Sequence, residues 1–73
     1  MRKLLNTLFV TSENAYLSLD GENVVASRDG QEAARYPLHM LSGILSFSYA
    51  GASPALMGAC AKRGVSLAFC TPG

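Results

Sequence analysis

Tryptophan is absent from this 73-residue chain, histidine occurs once, and no apolar run is long enough to span a bilayer. Charge is scarce too: Asp, Glu, Lys and Arg make up 15% of the residues, against about 25% in an ordinary soluble domain. Each shortage removes a class of function. One His and two Cys, Cys60 and Cys70, do not supply the roughly four closely spaced nitrogen and sulfur ligands of a structural zinc site. A formal net charge of +1 with a pI near 7.8 is not the electrostatic footprint of an autonomous nucleic-acid binder. Arg2 and Lys3 open the chain as a secretory leader does, but Asn6 and Thr7 break the apolar run and no small-residue cleavage site follows. Two cysteines make no disulfide framework. Cys60 and Cys70 read as buried free thiols in a reducing cytoplasm, with a bridge between them as the lesser alternative.

Carboxylates are missing from the whole second part of the chain. Glu13, Asp20, Glu22, Asp29 and Glu32 are the full set, and from Ala33 onward the charged side chains are Arg35, Lys62 and Arg63. That stretch is weakly basic and mostly apolar, a composition suited to buried or interface-facing chain. The length allows one domain at most, and such a chain hides only ~60% of its unfolded surface. With 49% apolar residues and few charges to cover them, the expected remedy is a partner subunit or further polypeptide.

What is present is a sequence of short strands. Leu4 to Val10 alternates, with Leu4, Leu8 and Val10 on one face and Leu5 and Phe9 on the other. Ala15 to Leu19 sets Leu17 and Leu19 against Tyr16 and Ser18. Asn23 to Arg28 and Gln31 to Tyr36 follow, separated by the hairpin signals Asp20-Gly21 and Asp29-Gly30 and stopped by Pro37. These four segments predict an antiparallel meander. Pro37 to Ser42 is a short connection with one helical turn at Leu38–Leu41. Ile44 to Tyr49 alternates Leu45, Phe47 and Tyr49 against Ile44, Ser46 and Ser48. Val65 to Cys70 alternates Val65, Leu67 and Phe69 against Ser66, Ala68 and Cys70. Thr71-Pro72-Gly73 is a turn signal with nothing after it.

Between the last two strands lies the one convincing helix. Ser53 is an N-cap, Pro54 fits the first turn, Lys62 and Arg63 suit the carbonyl end of the dipole, and Gly64 suits a left-handed stop. Leu56, Met57, Cys60 and Ala61 share a core face at about 100° per residue. Ala55, Gly58 and Ala59 leave a smooth side beside Lys62, open to close backbone approach. A strand, a helix and a strand within this span predict a parallel, right-handed βαβ unit. The expected fold class is therefore α+β and mostly β: a small β-sandwich-like domain with an antiparallel meander and one helix between the last two strands.

Chemistry is harder to find. His39 has no carboxylate or cysteine nearby in sequence, and reads as a polar loop residue, not a general base or metal ligand. Gly51 and Gly58 bracket a helix start after a strand, but Ala59 and Cys60 stand where a phosphate-binding loop needs Lys and Ser/Thr. The turn at Ala52-Ser53 remains a minor candidate for an anion contact. Asp20, Glu22, Asp29 and Glu32 read as turn formers. Tyr16, Tyr36 and Tyr49 read as sheet residues; base-stacking platforms carry more Arg and Lys between them.

Taken together, LLNTLFVT, AYLSLDGENVV, ARYPLHMLSGI and YAGASPALMGACAKRGVSLAFCTPG strongly resemble the N-terminal domain of the CRISPR-associated integrase, the endonuclease of the spacer-acquisition machinery. The likeness covers essentially the whole chain and is greatest to members serving type I-C systems. GASPALMGAC, with its glycine-ended helix and apolar strand, is its most specific part. The resemblance implies a β-rich N-terminal domain at residues 1–73, joined in the family to a helical C-terminal domain that this chain does not contain. There a Glu, a His and another acidic residue hold Mg²⁺ or Mn²⁺ and carry out DNA strand transfer. Neither His39 nor any acidic residue here matches them, so no catalytic, cofactor or metal residue carries over. The implied partners are a second copy, the small second adaptation protein and double-stranded DNA, in the cytoplasm and without a membrane. Some relatives carry a tyrosine at the first turn and arginines on the helix for the duplex. Here Thr11 to Asn14 and Gly58, Ala59 and Cys60 stand there, which leaves Lys62 and Arg63 as the DNA-facing candidates. The alternative is a free-standing binding or assembly module with no catalytic role.

Overall fold

A computed structural model describes residues 2–70; the turn signal at Thr71-Pro72-Gly73 and the side chains of Arg2 and Leu4 lie outside what is described. The strands are β1 (Arg2–Leu4), β2 (Thr7–Val10), β3 (Tyr16–Asp20), β4 (Asn23–Arg28), β5 (Gln31–Pro37), β6 (Gly43–Ser46) and β7 (Ser66–Phe69). A 3₁₀ turn covers Leu38–Met40, and helix α1 (Pro54–Arg63) joins β6 to β7. The fold is α+β and mostly β, in two sheets ordered β1-β2-β6-β7 and β3-β4-β5.

The meander holds three strands, not four. The segment from Leu4 to Val10 breaks at Leu5-Asn6 into a tight hairpin, with Leu4 opposite Thr7. Leu5 takes φ 57° there and its side chain is 85% exposed. A hairpin with positive φ at its first central residue normally uses glycine, so the turn has no ordinary signal. β2 then leaves the meander and pairs with β6 in parallel, Leu8 opposite Ile44. The two Gly turns behave as read: Gly21 has φ 61°, and Asp29 and Gly30 both have positive φ, the pattern of the tightest two-residue hairpin. β6 and β7 are parallel, as the strand–helix–strand spacing predicts.

One core joins both sheets and the helix. Leu8, Val10 and Ile44 from the first sheet meet Leu17, Val24 and Ala26 from the second, with Leu38, Leu41, Leu56, Cys60 and Val65 closing the ends. The opposite face of the three-stranded sheet carries charge. Arg35, opposite Val25 in register, reaches across β4 to Asp20 on β3 at 2.8 Å while also binding Glu32 at 2.8 Å. That crossing places Arg35 over the outer face of β4, where Val25 is buried although it lies outside the core cluster.

Two further expectations are corrected. β6 ends at Ser46, yet the alternation runs on in reverse of hydropathy, with Ser46 and Ser48 buried and Phe47 and Tyr49 exposed. The serines are inside because the backbone there needs partners. The Ser48 hydroxyl donates to the carbonyls of Ala15 and Glu13 and accepts from the Ala50 N–H, while Ser46 Oγ accepts from Ser48 N–H. The core face of α1 is also rotated. Leu56 and Cys60 are buried and Ala59 packs beside them, whereas Met57 is 44% exposed and Ala61 is exposed. At about 100° per residue Met57 lies a quarter-turn past Leu56, beyond the reach of β3 on that side.

Candidate functional site

The two DNA-facing candidates sit in the last turn of α1, which ends at Gly64 with φ 69°. The Gly64 N–H donates to the Cys60 carbonyl, and so does that of Val65, at 2.9 Å. Lys62 and Arg63 thus stand over the carbonyl end of the dipole, where cations are favourable. They are not equivalent. Lys62 is exposed and makes no ion pair among the described residues. Arg63 Nη2 is bonded to Glu22 Oε1 at the turn between β3 and β4. Nothing in the sequence linked Glu22 to Arg63; the contact exists because α1 packs on β3.

The other end of α1 is spent on its own backbone. Ser53 Oγ accepts from the Leu56 N–H at 3.2 Å. Ser53 N–H donates to the Leu17 carbonyl at 2.8 Å, and Leu17 N–H to Gly51 O at 3.1 Å. Residues 51–53 therefore close the outer edge of β3, and the anion contact considered at Ala52-Ser53 has its cap hydroxyl and one amide already committed.

The carboxylates remain turn and surface residues. Asp20 and Glu32 converge on Arg35, whose hydrogen bond holds the Glu32 carboxyl below its ordinary range. His39 lies exposed in the 3₁₀ turn. Among the described residues no three His, Cys, Asp or Glu side chains come together. Asp20 and Glu32, the two carboxylates that approach each other among the described residues, are both held by the Arg35 guanidinium.

Both cysteines are free, but only Cys60 is buried; the expectation of a second buried thiol fails at Cys70. Its N–H still donates to Ser46 O at 2.7 Å, so it prolongs the ladder while its side chain falls past the last core layer. Phe69, the last residue of β7, is 43% exposed. With Tyr49 and Met57 it borders a shallow groove of about 310 Å³ floored by Ser48, Gly51 and Ala52. Helical spacing places Met57 on the core face, and so the sequence does not disclose this patch. On the smooth side of α1, Ala59 packs against the core, whereas a Cβ added at Gly58 would have no neighbour within 4 Å among the described residues.

The fold and site thus define a two-sheet β-rich domain with a basic helix end, an apolar groove beside Tyr49, Met57 and Phe69, and no cluster of three His, Cys, Asp or Glu among the described residues. Residues 8–73 match the family model described as CRISPR associated protein Cas1, and the chain belongs to that family. It is 52% identical over 71 residues to the CRISPR-associated endonuclease Cas1 1 of Chlorobaculum tepidum, covering 97% of this chain and 21% of that protein. It is 49% identical over 67 residues to the CRISPR-associated endonuclease Cas1 2 of Rhodospirillum rubrum, covering 92% of this chain and 20% of that protein. The chain therefore spans about a fifth of the length of these relatives. Among the described residues no helix is long and apolar enough to cross a membrane.

Proposed function

We propose that this chain is the N-terminal scaffold and dimerisation domain of a CRISPR-adaptation DNA integrase, of the kind that serves type I-C systems in the cytoplasm. The observation that carries the reading is its alignment along nearly its whole length with one fifth of two endonucleases. The metal-dependent strand chemistry then belongs to the part of such proteins that this chain does not span, with Mg²⁺ or Mn²⁺ held there. The exposed Tyr49, Met57 and Phe69 support a role in assembly, because so little charge covers the apolar surface around them. A second copy and the small second adaptation protein are the proposed protein partners. Duplex DNA is the proposed ligand of the full assembly, met here through Lys62 and Arg63.

Two measurements test this. Incubated with branched or linear duplex DNA and Mn²⁺, the chain leaves the DNA intact; metal-dependent cleavage by the chain itself overturns the assignment of chemistry elsewhere. Sedimentation at micromolar concentration gives a dimer, and a clean monomer overturns the assembly role.

A further inference from the structure

We propose that Glu22 is an intramolecular competitor for Arg63, occupying its guanidinium so that the end of α1 holds polyanions less tightly than its two cations allow. The proposal rests on the reading of that helix end as the DNA-facing site. Glu22 and Arg63 are 41 residues apart in sequence and come from different elements. The turn bearing Glu22 is fixed, because its backbone carbonyl accepts the Leu38 N–H at 2.8 Å. The pairing is also exclusive among the described residues: Asp20 and Glu32 are taken by Arg35, and Glu22 touches no cation but Arg63. Both side chains face solvent, at 39% for Arg63 and 71% for Glu22, so an incoming phosphate meets the guanidinium directly. Carboxylate and phosphate use the same fork of N–H donors. An exposed pair of this kind is weak and yields to a duplex. Glu22 therefore sets a threshold for binding and does not block it. Lys62, without such a partner, provides the constant part of the attraction.

The test uses this chain and a short blunt DNA duplex at low salt, with Glu22→Gln, Asp29→Asn, Lys62→Gln, Arg63→Gln and the Glu22→Gln/Arg63→Gln double variant. Asp29 is the charge control. It enters no ion pair among the described residues, lies about 20 Å from Glu22 along β4, and tolerates Asn at its φ of 53°. Glu22→Gln should tighten binding on the order of five-fold with an unchanged logarithmic salt slope, because Arg63 reaches the phosphate in both forms, whereas Arg63→Gln should flatten that slope by about 0.9, one lost phosphate contact. Asp29→Asn should give a smaller gain and an unchanged slope, and the double variant should bind as Arg63→Gln does. Equal gains from Glu22→Gln and Asp29→Asn, or a gain that survives in the Arg63→Gln background, overturn the competitor. If Lys62→Gln and Arg63→Gln leave affinity unchanged, or if no variant binds, the helix end is not DNA-facing and both readings fall. If those two weaken binding while Glu22→Gln only matches Asp29→Asn, the competitor alone falls.

Discussion

Leu5 sits at φ 57° in a two-residue turn with its side chain in water. A left-handed conformation costs a branched apolar residue about 1–2 kcal/mol, and glycine does not pay it. Leu5→Gly should therefore raise stability by about 1 kcal/mol, read from the urea midpoint, and a loss would show that the side chain is covered in solution. The two thiols give a second contrast. Burial pushes the Cys60 thiol above its ordinary value of 9.0. In the unfolded chain the thiol ionises at lower pH than in the native state. The stability this group contributes is thus complete below 9.0 and falls as pH rises past it. Cys60→Ala should flatten that alkaline decline in urea midpoints, whatever it costs at neutral pH. Cys70, being exposed, should react with an alkylating reagent in the native state while Cys60 waits for unfolding.

Helix α1 is the element that sequence describes best, and its packing shows where that description stops. Ser53, Pro54 and Gly64 occupy the cap, first-turn and stop positions that their chemistry dictates. The same holds for the Gly turns and for the parallel β6–β7 pair, all set by local preference. Which side of α1 faces inward depends on where β3 lies, and no local pattern records that; hence Met57 outside and Ala59 inside. Leu56 is the centre of the buried face at 0% exposure, so Leu56→Ala should cost about 2–5 kcal/mol and leave little folded protein by circular dichroism. The buried serines were illegible for a related reason. Period-two reading assigns faces by hydropathy, whereas Ser46 and Ser48 are placed by backbone groups of residues 13–15 and 48–50. Of the candidate site, Lys62 and Arg63 are the DNA-facing candidates that the resemblance leaves. Glu22 is not among them, because its partner is brought to it by tertiary structure.

At the scale of the molecule, an apolar flank lies beside α1 and β7. Tyr49, Met57 and Phe69 border one groove, and β7 beside it carries no charge, proline or bulge along its outer edge. Such an edge invites pairing, whereas β5 is protected by Glu32, Arg35, a register shift and Pro37. Met57→Lys with Phe69→Lys should weaken self-association without lowering thermal stability; an unchanged dimer in sedimentation would move the interface elsewhere. The parallel pairing of β2 with β6 has a different kind of consequence, in the order of events as the chain folds. Leu8 must wait for Ile44, with the entire β3–β4–β5 meander strung between them. The meander closes through two-residue turns and forms early, while closing the long loop to β6 carries an entropic cost that delays the first sheet. Pulse-labelled amides of Ser18 and Val25, which face each other across β3 and β4, should accordingly gain protection before those of Leu8 and Ile44. A nascent chain would thus leave one edge of the apolar β2 open until Gly43–Ser46 had been made, and would need its own meander as the template that brings β6 home.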